Sequence, residues 1–292
     1  MVWQQVVISL CARDAVRVES ALTAAGAIAI TFSDAGNEPL FEPAPGETPL
    51  WSSTEVTALF DDDTDTDAAI CEVSRVLGPD RLVDYRVIAL EDREWEREWL
   101  ADFRPTRFGE KLWVCPHGQT SGKDGAIELI LDPGLAFGTG SHETTAMCLE
   151  WLDRETTESR TILDYGCGSG ILAIAGLLLG AKKAVATDID PQALTATRAN
   201  ALENNVQDRL AIVPVDSVPP SKHDLVIANI LAGTLMDLAA TLARLTAAGG
   251  LIGLSGILAD QADEVGGIFS QWYELAHPAF RGDWSFLTGR RL

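Results

Sequence analysis

Apolar and polar positions repeat along this chain with two periods, and the places where the period changes mark its elements. Residues 2–11, Val-Trp-Gln-Gln-Val-Val-Ile-Ser-Leu-Cys, read as a strand. Residues 15–25 read as a helix, because Val18, Leu22 and Ala25 recur on one face and Gly26 stops them. A second strand at 27–32 runs into a Gly- and Pro-rich loop over 36–49. A strand at 55–60, a helix at 67–77 ended by Gly78-Pro79, and a strand at 82–90 complete the first part. The order β-α-β-β-α-β is that of a split βαβ, ferredoxin-like α+β module, here assigned to residues 1–90.

The next segment, 91–104, is charged and carries Trp95, Trp99 and Phe103 at i, i+4 and i+8, which stacks three aromatics on one helical face. It reads as a linker helix whose stripe either packs between domains or cages a substrate. From Pro105 onward strand and helix alternate. Strands are expected at 112–115, 127–131, 161–164, 183–188, 210–214, 224–228 and 250–255, with a last pair near 272–275 and 284–288. Helices are expected at 144–152, 170–180, 191–204, 232–247 and 259–270. Such alternation predicts an α/β domain over 105–292, with a mostly parallel sheet covered on both faces.

Charge narrows the partners. The 292 residues carry 22 Lys+Arg against 43 Asp+Glu, a net charge of −21. A surface that tracks nucleic acid needs Lys/Arg stripes, and the only adjacent basic pairs are Lys182-Lys183 and Arg290-Arg291. Nucleic-acid binding and a polybasic membrane anchor are therefore not expected. The acid is also uneven: residues 1–100 hold 20 acids and 7 bases, with an extreme at Asp61-Asp62-Asp63-Thr64-Asp65-Thr66-Asp67. That run is either a solvated loop or part of a surface that attracts a basic partner. Five cysteines, odd in number and with no C-x-x-C pair, suggest neither a disulfide framework nor a zinc site. The start lacks a signal peptide's pattern, and the longest apolar run, 171–181, is too short to span a bilayer. The expectation is a soluble protein of the reducing cytoplasm, with no metal.

Three motifs carry chemistry. In Thr161-Ile-Leu-Asp164-Tyr-Gly166-Cys-Gly168-Ser-Gly170, apolar residues run into an acid and then into a glycine loop that opens a helix. Glycine lets the backbone turn sharply and approach a ligand closely, and the helix start offers unpaired N–H groups. Asp188 ends the next expected strand, where a carboxylate can accept both ribose hydroxyls of a nucleoside. Two ligands suit this arrangement: a dinucleotide, read through Gly168, Gly170 and Ala173, or S-adenosyl-L-methionine, read through Asp164, Gly166, Gly168 and Gly170. Cys167 within the loop reads as a small filler rather than a nucleophile. Upstream, Phe137-Gly-Thr-Gly-Ser-His142-Glu143-Thr144-Thr145 opens onto a helix; its hydroxyls either cap that helix or bind an anion. His142 and Glu143 are either a proton-handling pair or exposed loop residues. Downstream, Asn229-Ile-Leu-Ala leaves a buried strand, where the amide either shapes a turn or orients an amine for attack.

Together these motifs closely resemble the bacterial ribosomal protein L11 methyltransferase family, over the stretch from about Trp95 to the C-terminus. The runs Leu131-Asp-Pro-Gly-Leu-Ala-Phe-Gly-Thr-Gly-Ser-His-Glu-Thr-Thr and Ala228-Asn-Ile-Leu-Ala are the specific ones; Gly253-Leu-Ser-Gly-Ile-Leu and the late Trp284 also fit. The first 90 residues match mainly in length, placement and topology. The resemblance implies a class I, Rossmann-like methyltransferase domain, a linker helix and a small substrate-recognition domain. It implies an S-adenosyl-L-methionine-dependent N-methyltransferase acting on lysine side chains and the N-terminal amine of large-subunit ribosomal protein L11, free rather than assembled. Carried over by motif, Thr145, Gly166, Gly168, Asp188 and Asn229 are the implied cofactor contacts, and Asn229 also positions the substrate amine. Glu143 stands where the family varies. The Asn motif differs from the Asn-Pro-Pro-Tyr of adenine and glutamine methyltransferases, which argues against a nucleobase substrate. No residue is a compelling general base.

Overall fold

A computed structural model describes residues 2–36, 38, 49–78, 84–91, 104–131 and 142–292. The chain divides into two compact units, Met1–Trp95 and Glu96–Leu292. Most of the expected linker helix, residues 92–103, lies outside the described residues.

In the first unit the order is β1 (Val2–Cys11), α1 (Ala12–Ala24), β2 (Ala29–Asp34), β3 (Ser53–Asp61), α2 (Thr66–Leu77) and β4 (Tyr85–Glu91). The sheet runs β2-β3-β1-β4 with every neighbour antiparallel. This is the arrangement that a split βαβ produces. Along β3 buried and half-buried positions alternate strictly, so Val56, Ala58 and Phe60 face one way, joined by Val6 and Ile8 of β1. Val18 and Leu22 of α1 and Val73 of α2 cover them. The acidic run is partly structural: Asp65 caps α2 by accepting from Ala68 N at 3.1 Å, while Asp61, Asp62 and Asp63 are exposed.

The second unit begins with a three-stranded sheet, β5 (Thr106–Phe108), β6 (Leu112–Cys115) and β7 (Ile127–Ile130). The main sheet follows: β8 (Thr161–Tyr165), β9 (Lys183–Asp188), β10 (Leu210–Pro214), β11 (His223–Asn229), β12 (Thr246–Leu258), β13 (Tyr273–Leu275), β14 (Ala279–Arg281) and β15 (Trp284–Arg291). Its order is β10-β9-β8-β11-β12-β15-β13, with β14 beside β15. The first five strands are parallel and β15 is antiparallel to both its path neighbours. Helices α3 (Glu143–Glu155), α4 (Ile171–Leu178) and α5 (Pro191–Glu203) pack on one face, and α6 (Ala232–Leu245) and α7 (Ala262–Phe269) on the other. Successive strand residues feed opposite cores: Leu225 and Ile227 the first, Val226 and Ala228 the second. A sheet buried on both faces needs such continuous apolar runs. The strand order reverses direction between β8 and β11, which makes their carboxyl ends a ligand crevice.

Three expectations are corrected. The helix expected over 232–247 stops at Leu245, and the strand expected at 250–255 extends to Thr246–Leu258. Thr246 is buried, its hydroxyl donating to Leu242 O at 2.8 Å and lying 2.7 Å from Tyr273 Oη, and this contact ends the helix. The helix expected over 259–270 is a short 3-10 turn followed by α7. Strands β5 and β14, three residues each, had no pattern long enough to announce them. Among the described residues, no helix is long and apolar enough to cross a membrane.

Candidate functional site

The glycine loop between β8 and α4 is built by its neighbours. Gly166 N and Cys167 N both donate to Thr187 O on β9, at 2.8 and 3.0 Å. Its carbonyls turn toward α5, where Thr197 Oγ1 donates to Gly168 O and Asn200 Nδ2 to Ser169 O, at 3.0 and 2.8 Å. Gly166, Gly168 and Gly170 all have positive φ, a conformation that costs an L side chain roughly 1–2 kcal/mol.

Asp188, at the end of β9, accepts from Gly168 N with Oδ2 at 2.9 Å and from Asp190 N with Oδ1 at 3.0 Å. Asp190 then caps α5 by accepting from Gln192 N, with Pro191 at the first helical position. The sequence Asp188-Ile-Asp-Pro is thus a strand end, an exposed Ile189 and a helix start in four residues.

Asp164 has a different place. It is fully buried: Oδ2 accepts from Ala173 N at 3.0 Å, and Oδ1 has no hydrogen-bond partner among the described residues. Burial pushes its pKa up to about 7, the Ala173 amide opposing and the Asp188 charge adding. A pyrophosphate would draw on the first-turn amides of α4, and one of them, that of Ala173, already donates to the Asp164 carboxyl group. Cys167 is a buried thiol, pushed up to about 12 mainly by desolvation, so it supplies no thiolate nucleophile.

Around this loop opens a cavity of about 640 Å³, lined by Gly166, Gly168, Asp188 and Asn229 together with apolar side chains such as Val215, Ile230 and Leu238. Four of the five residues singled out in the sequence therefore share one wall system. The fifth, Thr145, is not on that surface. It is 1% exposed and stands behind Asn229, whose Nδ2 donates to Thr145 Oγ1 at 3.3 Å. Ile230 is held between two glycines far apart in sequence. A Cβ at Gly166 would run into its side chain, and a Cβ at Gly256 would sit 2.5 Å from its carbonyl oxygen.

Other cavity residues were less visible in the sequence. His142, rather than either threonine, is the N-cap of α3: Nδ1 accepts from Thr144 N at 3.3 Å and lies 2.7 Å from Thr144 Oγ1. Nδ1 thus serves as the acceptor of this cap. Trp284 meets the His142 ring edge-on, with centroids 5.1 Å apart, which brings the start of β15 to the cavity. Glu143 is exposed and does not line the cavity. Thr234 and Asp237 reach it from α6, and their i, i+3 spacing was the available signal. Among the described residues, no group of three or more His, Cys, Asp or Glu is arranged to hold a metal ion.

Residues 2–292 match the family model described as ribosomal protein L11 methyltransferase (PrmA). A ribosomal protein L11 methyltransferase from Aeromonas hydrophila is 47% identical over 293 residues, covering 100% of both chains. One from Pseudomonas aeruginosa is 48% identical over 292 residues, covering 100% of this chain and 99% of that one. Among solved structures, a ribosomal protein L11 methylase from Lactobacillus delbrueckii subsp. bulgaricus superposes with a TM-score of 0.60 at 31% identity, covering 65% of this chain and 99% of that one.

Proposed function

This chain belongs to the ribosomal protein L11 methyltransferase family, and from that premise we infer how its cavity works on its substrate. It is an S-adenosyl-L-methionine-dependent methyltransferase acting on ribosomal protein L11.

The residues present suit the methyl donor. Asp188 stands at a strand end with an exposed Ile189 beside it, suited to a ribose and the flank of its base. Gly166 and Gly168 offer backbone to the donor's amino-acid end, and Asn229 faces the reacting side. Thr145, carried over as a direct contact, is assigned a supporting place behind Asn229. When bound, the donor supplies an electrophilic sulfonium methyl group to an attacking amine.

The target amines are lysine side chains and the N-terminal amine. A lysine titrates at about 10.4 and is almost wholly protonated near neutrality, so its lone pair must be freed. The apolar walls at Val215, Ile230 and Leu238 favour the neutral amine by withholding solvation from the charged form. Asn229 holds the amine in line, and alignment supplies much of the remaining gain. The proton leaves to water. Residues 1–90 recognise the substrate and residues 105–292 carry out transfer, with 91–104 between them. The acid excess of the first hundred residues suits a basic ribosomal protein whose surface is not yet covered by RNA. On this account the substrate is free L11 in the cytoplasm, and the enzyme binds no nucleic acid itself.

The observation that carries this reading is the convergence of Asp188, Gly166, Gly168 and Asn229 on one cavity. Supplying free L11 and intact large subunits separately, with a labelled methyl donor, tests it. Label is expected in free L11 and nearly none in the assembled subunit. Equal labelling of both would remove the free-substrate assignment.

A further inference from the structure

We propose that a second cavity, at the amino ends of β8, β9, β10 and β11, binds a small phosphorylated anion whose phosphoryl group is held by Lys183, Arg209 and Lys222 beside the buried imidazole of His223. This cavity has a volume of about 350 Å³ and lies at the end of the sheet opposite the methyl-donor site. Thr161, Lys183, Leu210 and His223 begin the four strands and line it, whereas Tyr165, Asp188 and Asn229 end three of them at the donor cavity. A strand of seven residues such as β11 spans roughly 20 Å, so ligands at its two ends do not meet.

Charge sets this cavity apart. In a chain with 22 Lys+Arg against 43 Asp+Glu, cations from three separate segments line one opening, and among the described residues Asp208 is the single carboxylate beside them. Among the described residues, none of these three cations has a carboxylate within ion-pair distance. Arg209 Nη1 donates to Ala181 O at 3.0 Å, which holds the guanidinium at the rim and leaves its other N–H groups for a ligand. Asp224 does not line the cavity; its Oδ2 accepts from Thr161 N and Thr161 Oγ1, both at 2.8 Å. Lys183 belongs to one of the two adjacent basic pairs in the sequence, which methyl transfer leaves unused. The net charge of −21 opposes an anion only weakly here, because exposed charges are screened over about 8 Å at physiological salt, whereas the three cations act from the cavity's own walls.

His223 points to the same ligand. It is 5% exposed, it lines the cavity, and neither ring nitrogen has a hydrogen-bond partner among the described residues. Buried polar groups are nearly always bonded, so an imidazole open at both nitrogens marks a missing partner. Desolvation holds its pKa below the ordinary value, with the Asp224 charge opposing, so the ring is neutral at physiological pH. A neutral ring donates one N–H and accepts at its other nitrogen. A phosphate ester near neutrality carries between one and two negative charges, and its monoanion offers accepting oxygens together with a donating P–OH. A carboxylate brings one charge and no donor. Three cations and a neutral imidazole therefore suit a phosphoryl group better than a carboxylate.

Inorganic phosphate and ribose 5-phosphate are the probes, each titrated into the full-length protein at constant ionic strength, with sodium chloride as the control. Binding is read from the ring resonance of His223, one of four histidines in the chain, assigned by its loss in His223→Gln. If that variant does not fold, elimination with His117→Gln, His142→Gln and His277→Gln assigns it. Both probes are expected to move the resonance saturably with a Kd near or below about 1 mM, and chloride is not. Lys183→Gln combined with Lys222→Gln should weaken both probes about tenfold or more. Affinity for S-adenosylhomocysteine, measured by calorimetry with and without phosphate, should stay within about threefold. Tighter binding of ribose 5-phosphate identifies a phosphorylated metabolite as the occupant, and equal binding identifies the free anion; both support the site. It is overturned if the resonance does not move saturably, if chloride moves it equally, if the double variant binds like wild type, or if phosphate competes with S-adenosylhomocysteine.

Discussion

Asp164 makes a prediction about stability that can be worked from its burial. Its carboxyl is wholly enclosed, one oxygen without a partner among the described residues, and its pKa rises from 3.8 to about 7. Between those values the native protein keeps a proton that the unfolded chain has lost. Bound protons are then more numerous in the native state, so stability falls as pH rises. The contribution is fully present below the unfolded pKa and is gone once pH passes the native one. A gap of roughly three pH units corresponds to roughly 4 kcal/mol, of which about 3 kcal/mol is lost between about pH 5 and about pH 8. Asp164→Asn keeps an oxygen for the Ala173 amide and cannot titrate. Urea unfolding of both proteins, followed by tryptophan fluorescence, should show the variant gaining about 3 kcal/mol relative to wild type across that range. His223, a buried imidazole held below its ordinary value by desolvation, tilts stability the opposite way, and it cancels because both proteins contain it. A stability difference between the two proteins that stays constant with pH would refute the buried, protonated carboxyl.

Three further outcomes are expected. Asp188→Ala should weaken S-adenosyl-L-methionine binding about 100-fold by calorimetry, the loss of two hydrogen bonds to a charged acceptor; a change below about threefold would remove its ribose role. Gly256→Ala should cost about 2–4 kcal/mol in urea unfolding, because the position has φ +79° and a Cβ 2.5 Å from Ile230 O; an unaltered midpoint would contradict the close approach. Raising ionic strength several-fold above about 0.1 M should raise KM for L11 and leave donor affinity unchanged; an unaffected KM would mean that the acidic first unit does not steer the substrate.

The parts of the fold legible in the chain were those written by local periodicity. The strict alternation of β3 and the two-faced apolar run of β11 announce themselves, as does the glycine loop after Asp164. Strands β5 and β14 exist through pairing with β6 and β15, which a three-residue pattern cannot signal. The early start of β12 follows from the Thr246–Tyr273 contact, made between residues well separated along the chain. The site divides in the same way. Asp188 and Asn229 stand at strand ends, where position alone suggests contact with a ligand. The place of Thr145 behind Asn229 and the packing of Ile230 between Gly166 and Gly256 are tertiary relations. Sequence motifs named Thr145 as a cofactor contact, and its burial behind Asn229 is a relation that no local pattern writes.

The central claim is that this cavity, through Asp188 and Asn229, transfers methyl groups to amines of free L11. Mass spectrometry of purified L11, incubated with S-adenosyl-L-methionine and either the wild-type enzyme or Asn229→Ala, tests it most directly. The account predicts mass gains of whole methyl groups on lysines and on the N-terminal amine with wild type, and almost none with the variant. Unmodified L11 with both proteins, or equal methylation by both, would contradict it.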